Sequence, residues 1–112
     1  MSYQTIRMSG CSSLSMDALV SSLKRELPGE LVSETRKYFD DGEAALLILE
    51  KYFFRNGSYA NLTVFLTERA GAWTADIVGS GGGEGIFNFS LGANADFARA
   101  AEKVLEGYGF AA

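Results

Sequence analysis

Few residues in this chain have the type and spacing to do chemistry, and they are scattered. The most unusual run is Gly79-Ser80-Gly81-Gly82-Gly83-Glu84-Gly85. Glycines allow close backbone approach, and successive amides can form an anion nest. Gly79, Ser80, Gly81, Gly82, Gly83 and Gly85 are therefore candidate binding positions for an anionic small molecule. The run lacks the Lys-Ser/Thr pair and the following helix of a phosphate-binding P-loop, and Glu84 would repel phosphate. The plainer reading is a flexible connection. Cys11, the single cysteine, precedes a predicted helix, whose N-terminus can stabilise a thiolate. That makes it a possible reactive thiol. The chain has no histidine, which removes the commonest general base, the usual partner of a nucleophilic cysteine, and the commonest metal ligand. A passive turn residue is the plainer reading of Cys11.

The carboxylates Glu34, Asp40, Asp41, Glu43, Glu50 and Asp76 could supply an acid/base pair. Asp40, Asp41 and Glu43 fall in a predicted turn, where aspartate serves the backbone. Glu34 and Glu50 alternate with Arg36 and Lys51, a pattern of cross-strand ion pairs on a wet surface. EF-hand spacing is absent, and neither a cofactor nor a metal is expected. Tyr38, Tyr52, Phe54, Tyr59, Phe65 and Trp73 could line an apolar pocket, although aromatics on adjacent strands more often pack as core.

Positioning such residues falls to a series of short elements. Residues 3–8 alternate weakly, as a first strand. Met16, Leu19, Val20, Leu23 and Leu27 recur at offsets of three and four, which predicts a helix over 15–27 ended by Pro28-Gly29. Ser21, Lys24, Arg25 and Glu26 are its solvent side. Residues 30–39 predict a strand with Leu31, Ser33, Thr35, Lys37 and Phe39 on one face and Val32, Glu34, Arg36 and Tyr38 on the other. Asp40-Asp41-Gly42 and Arg55-Asn56-Gly57-Ser58 read as hairpin turns bounding a strand over 44–54. Residues 59–68 alternate, Arg69-Ala70-Gly71 turns the chain, and residues 72–78 alternate again. Ile86 to Leu91 offers an optional further strand. Asn94 is a candidate N-cap for a last helix carrying Phe97, Ala101, Val104, Leu105 and Tyr108, ended by Gly107 and Gly109.

These elements imply an α+β fold of a single domain over residues 1–112. Its antiparallel sheet has five or six strands with both helices on one face, in the order β-α-β-β-β-β-(β)-α. That order resembles the β-α-β4-α arrangement of the TATA-binding-protein-like folds. The DNA-binding members of that group are strongly basic, whereas this chain carries 14 acidic and 10 basic residues, for a net charge of -4. Nucleic acid and anionic membranes are thus not expected as partners. The longest apolar run, Ala44 to Leu49, is far below the roughly 20 residues of a membrane span. A lone cysteine and an N-terminus without an apolar leader point to a reducing, cytoplasmic setting.

Ala44 to Leu49 is apolar on both faces of its strand, and Tyr59 and Phe65 add to the face away from the helices. A two-layer monomer would leave these in water, so either a second copy of the chain or the glycine-rich loop folding back should cover them, and the expectation is a homodimer joined through the sheet at a face that includes Tyr59 and Phe65. The leading functional expectation is a non-enzymatic, cytoplasmic interaction or small-ligand-binding domain. The alternative is an enzyme or sensor holding an anionic small molecule at residues 79–85.

The segment Gly85-Ile86-Phe87-Asn88-Phe89-Ser90-Leu91-Gly92-Ala93, followed by a helix, resembles a family of small uncharacterised bacterial proteins. The resemblance covers most of the chain, including the glycine run. It implies a single-domain bacterial protein and carries no activity and no functional residues with it.

Overall fold

The computed structural model describes residues 3–53, 57–81 and 93–112. The elements are β1 (Tyr3–Gly10), α1 (Met16–Glu26), β2 (Glu30–Phe39), β3 (Gly42–Phe53), β4 (Ser58–Arg69), β5 (Ala72–Gly81), α2 (Ala93–Glu106) and β6 (Phe110–Ala111). The six strands form one antiparallel sheet in the order β2-β3-β4-β5-β1-β6. The α+β class and the β-α-β-β-β-β-α sequence of elements are those that periodicity predicts. The sixth described strand is β6, at the C-terminus. The optional strand over 86–91 lies outside the described residues.

Helix α1 begins where Ser15 accepts a hydrogen bond from the Ala18 amide, 3.1 Å away, and so takes up one of the orphan donors of the first turn. It ends at Glu26 because Leu27, ahead of Pro28, is driven to extended backbone (ψ 142°). Helix α2 starts at Ala93, so Asn94, the predicted N-cap, falls inside the first turn. After α2, Gly109 adopts a φ of +103° and sends Phe110 back against β1, where it pairs with Gly10. The two segments approach so closely there that a Cβ on Gly10 would lie 2.2 Å from the Gly109 carbonyl oxygen. Phe110 is buried edge-on against Trp73, with ring centroids 6.0 Å apart.

The hairpins explain the register. At the β4–β5 turn both Ala70 (φ 51°) and Gly71 (φ 84°) are left-handed, the pattern of a type I′ turn. The β2–β3 turn uses Asp40 and Asp41, and Gly42 is the first paired residue of β3, opposite Phe39. Gly42 is there for space rather than for the turn: a Cβ would stand 1.8 Å from the Glu68 carbonyl oxygen.

Alternation then sorts side chains cleanly. Ala45, Leu47 and Leu49 of β3, Ala60, Leu62, Val64 and Leu66 of β4, and Trp73, Ala75 and Ile77 of β5 share one face and are buried. Helix α1 covers this face at β3 with Leu19, Val20 and Leu23, while α2 covers it at β4, β5 and β1 with Phe97, Ala98, Ala101 and Leu105. Both helices therefore lie on one side, and the second face of the sheet carries no helix among the described residues.

Candidate functional site

The helix-free face is the largest feature with a chemical character of its own. Cross-strand pairing sets its rows. Thr35, Leu46, Phe65, Asp76 and Arg7 form one row, and Ser33, Ile48, Thr63, Val78 and Thr5 form the next. Leu46, Ile48 and Val78 are half-buried by their neighbours, and Phe65 stands above them, 39% exposed. Threonines ring this apolar centre, with Thr67 and Thr74 hydrogen-bonded to each other across β4 and β5. Arg7 and Asp76 form an exposed ion pair at 3.6 Å on the β1 side. At the far end Tyr52 and Tyr59 meet edge-on, with centroids 5.1 Å apart, and Tyr59 is 57% exposed. Tyr59 and Phe65 thus share the face that the alternation assigns them.

The other candidates are dispersed. Gly79, Ser80 and Gly81 belong to β5, not to a loop: Gly79 pairs with Gln4 and Leu62, Ser80 with Tyr3 and Asn61, and Gly81 with Ala60. Gly82, Gly83 and Gly85 lie outside the described residues, as does Phe54. Cys11 is a free, exposed thiol at the end of β1, on the segment leading to Ser15. Trp73 is buried on the helix side and Tyr52, Tyr59 and Phe65 lie on the other face, so these four line no common pocket. Asp41 serves the turns, accepting bonds of 3.1 Å from Nε and Nη2 of Arg69, whose guanidinium lies over the Phe39 ring at 5.4 Å. No group of three or more metal-ligating side chains exists among the described residues.

Two readings of β2 are corrected by a β-bulge at Val32. Leu31 pairs with Leu49 and Ser33 with Ile48, so one extra residue is inserted and the alternation changes phase there. Leu31 consequently parts from the face of Ser33, Thr35, Lys37 and Phe39. Glu34 and Arg36 pair with Leu47 and Ala45, on the helix side, where they are half-buried.

There they form the charged seat of α1. Lys24 reaches Glu34 at 2.9 Å, and Arg36 reaches Asp17 at 2.6 Å, Glu34 at 3.5 Å and Glu43 at 3.7 Å. The Lys24 hydrogen bond, against the opposing cost of burial and with help from Arg36, holds the Glu34 carboxyl below its usual range. For Arg36, burial works to lower the pKa, but the Asp17 bond and neighbouring negative charge outweigh it and raise it. Arg36 Nε is buried without a hydrogen-bond partner. Each acid in this group has a cationic partner, so the arrangement docks a helix and offers no free acid or base.

Two of the shallow concavities among the described residues border the candidate residues. One, of about 300 Å³, lies among Ser12, Leu14, Ser15, Met16, Glu43, Glu68, Gly71 and Trp73. Glu43 and Glu68 face each other there across β3 and β4, but Glu43 is held near Arg36 and Glu68 accepts the Gly71 amide at 2.7 Å. The other, of about 330 Å³, is lined by Gly29, Glu30, Glu50, Lys51, Tyr52 and Tyr59. No helix among the described residues is long and apolar enough to cross a membrane.

What the sequence reading missed is the long outer edge of β2. The sheet order leaves this edge unpaired among the described residues, and Leu31, Val32, Tyr38 and Phe39 along it are all exposed. The signal was present in the strand's apolar ends, but nothing in one strand's pattern tells an edge from a centre.

No curated protein and no solved structure matches the chain, so the TATA-binding-protein-like likeness is one of element order alone. A family model described as a family of unknown function, DUF6054, matches residues 1–109. This chain, whose described helices both lie on one face of its sheet, is accordingly a member of the DUF6054 family.

Proposed function

We propose that the protein is a non-enzymatic interaction domain of the cytoplasm that self-associates by packing the helix-free sheet face of one copy on that of another. The observation that carries this reading is the apolar centre of that face, where Leu46, Ile48 and Val78 surround a 39%-exposed Phe65. Sheets pack face to face through interdigitating side chains, and the threonine ring supplies a polar rim. Five long strands of about ten residues, at about 4.8 Å between strands and about 3.3 Å per residue, give a face of about 800 Å². This matches the roughly 800 Å² that each partner contributes to an interface of standard size. A two-fold axis brings the same patch from both copies together and needs no second protein.

Phe65→Lys tests the proposal. The new ammonium stands opposite Asp76 in the register, so the fold retains a partner for it. Light scattering should give a smaller particle mass for the variant than for the wild type. A wild-type mass equal to one 12.1 kDa chain, or a mass that Phe65→Lys leaves unchanged, overturns the reading.

A further inference from the structure

We infer that the outer edge of β2 is a second self-association surface, at which two copies pair β2 with β2 antiparallel about a two-fold axis at Thr35. This contact uses an edge rather than a face and does not rest on the face-to-face reading.

The edge is suited to it. Strand β2 runs for 10 residues and pairs only with β3 among the described residues. Such an edge presents a row of unpaired backbone donors and acceptors to any strand of matching pattern. At the opposite border of the sheet, β1 is partly covered by β6 through Ser9 and Gly10. On β2, Val32 is 60% and Tyr38 67% exposed, among the most exposed large apolar side chains described.

The charge pattern names the occupant. When two identical strands pair antiparallel within one sheet, the two-fold axis is perpendicular to the sheet. Residues equally far before and after the central one then face each other on the same side. With Thr35 at the centre, Thr35 faces its own copy and Glu34 faces Arg36 of the second copy, twice over. Ser33 then faces Lys37. Threonine pairs and opposite charges are favourable cross-strand combinations. Moving the axis one residue places Glu34 against Glu34 or Arg36 against Arg36, and both are repulsive. The strand is thus complementary to itself in one register, and the bulge at Val32 marks where that register ends. Glu34 and Arg36 of both copies lie on the helix side, so the pairing extends the charged seat of α1 across the axis.

Disulfide trapping decides the matter. In a Cys11→Ser background, cysteines are introduced singly at Thr35 and at Lys37, both exposed on β2. Paired Thr35 residues should have Cα atoms about 4.5–5.5 Å apart, within disulfide range. Two Lys37 residues would sit about four residue spacings apart, beyond it. The expected result is a reducible covalent dimer from Thr35→Cys at least tenfold more abundant than from Lys37→Cys. Equal trapping of the two, or none at Thr35, overturns the inference. Adding Val32→Lys, which sets an exposed charge at the end of the pairing, should reduce trapping at Thr35 severalfold. Adding Phe65→Lys should leave it unchanged, so failure of this contact and failure of the face contact are separately visible.

Discussion

The two faces of one strand, β4, make the sharpest contrast in the molecule. Ala60, Leu62, Val64 and Leu66 are 0% exposed, while Tyr59 and Phe65, alternating with them, are 57% and 39% exposed. Residue type does not separate these sets, since both are strongly apolar. Coverage does, because α1 and α2 lie over one side only. A side chain's contribution to folding is therefore set by what the rest of the chain places above it, and among the described residues no helix covers the side of Tyr59 and Phe65.

This contrast can be broken by truncation. Leu62→Ala empties a fully buried position and should cost about 2–5 kcal/mol in urea unfolding. Phe65→Ala, one face over, should cost about 0.5 kcal/mol when measured at a dilution that suppresses association. Similar losses at the two positions would mean that the second face is also core.

A second experiment concerns the charged seat of α1, where the covered side meets water. The folded state lowers the Glu34 pKa, so its ion pairs contribute fully above the ordinary glutamate value of 4.5 and are lost as pH falls through the lower folded-state value. Glu34→Gln should lower stability at neutral pH. It should also flatten the fall in stability below about pH 4.5, as followed by denaturant midpoints across pH. An acid limb as steep as that of the wild type would place the titrating group elsewhere.

The smallest effect belongs to the open face. Asp76→Asn removes an ion pair to an Arg7 side chain that is 84% exposed. It should shift folding by no more than about 0.5 kcal/mol, and by less still as salt is raised.

Much of this architecture is legible from the residues. Strict alternation from Tyr59 to Glu68, with glycine-bearing turns on either side, leaves little choice but a hairpin strand. The spacing of Met16, Leu19, Val20 and Leu23 likewise marks one helical stripe. Tyr59 and Phe65 could be assigned to the bare side because a period of two is unforgiving. The misplacements share a cause. The bulge at Val32 costs one residue of phase and has no signature among Leu31, Val32 and Ser33, so the positions of Leu31, Glu34 and Arg36 relative to the core could not be read. Strand β6 is too short for any period to register and exists because Phe110 finds Trp73. The end of β5 was hidden in the glycine run, since Gly79 and Gly81 pair through backbone atoms that every residue type shares.

The position of β1 between β5 and β6 bears on how the chain folds. Tyr3 pairs with Ser80, so β1 is made well before the β5 strand that it pairs with. The meander from β2 to β5 closes through turns of a few residues and can assemble from local contacts, whereas placing β1 requires a loop of some 70 residues to close first, at an entropic cost that rises with loop length. The N-terminal strand should therefore be among the last ordered, and the segment most exposed to slow docking or to capture by another chain during synthesis.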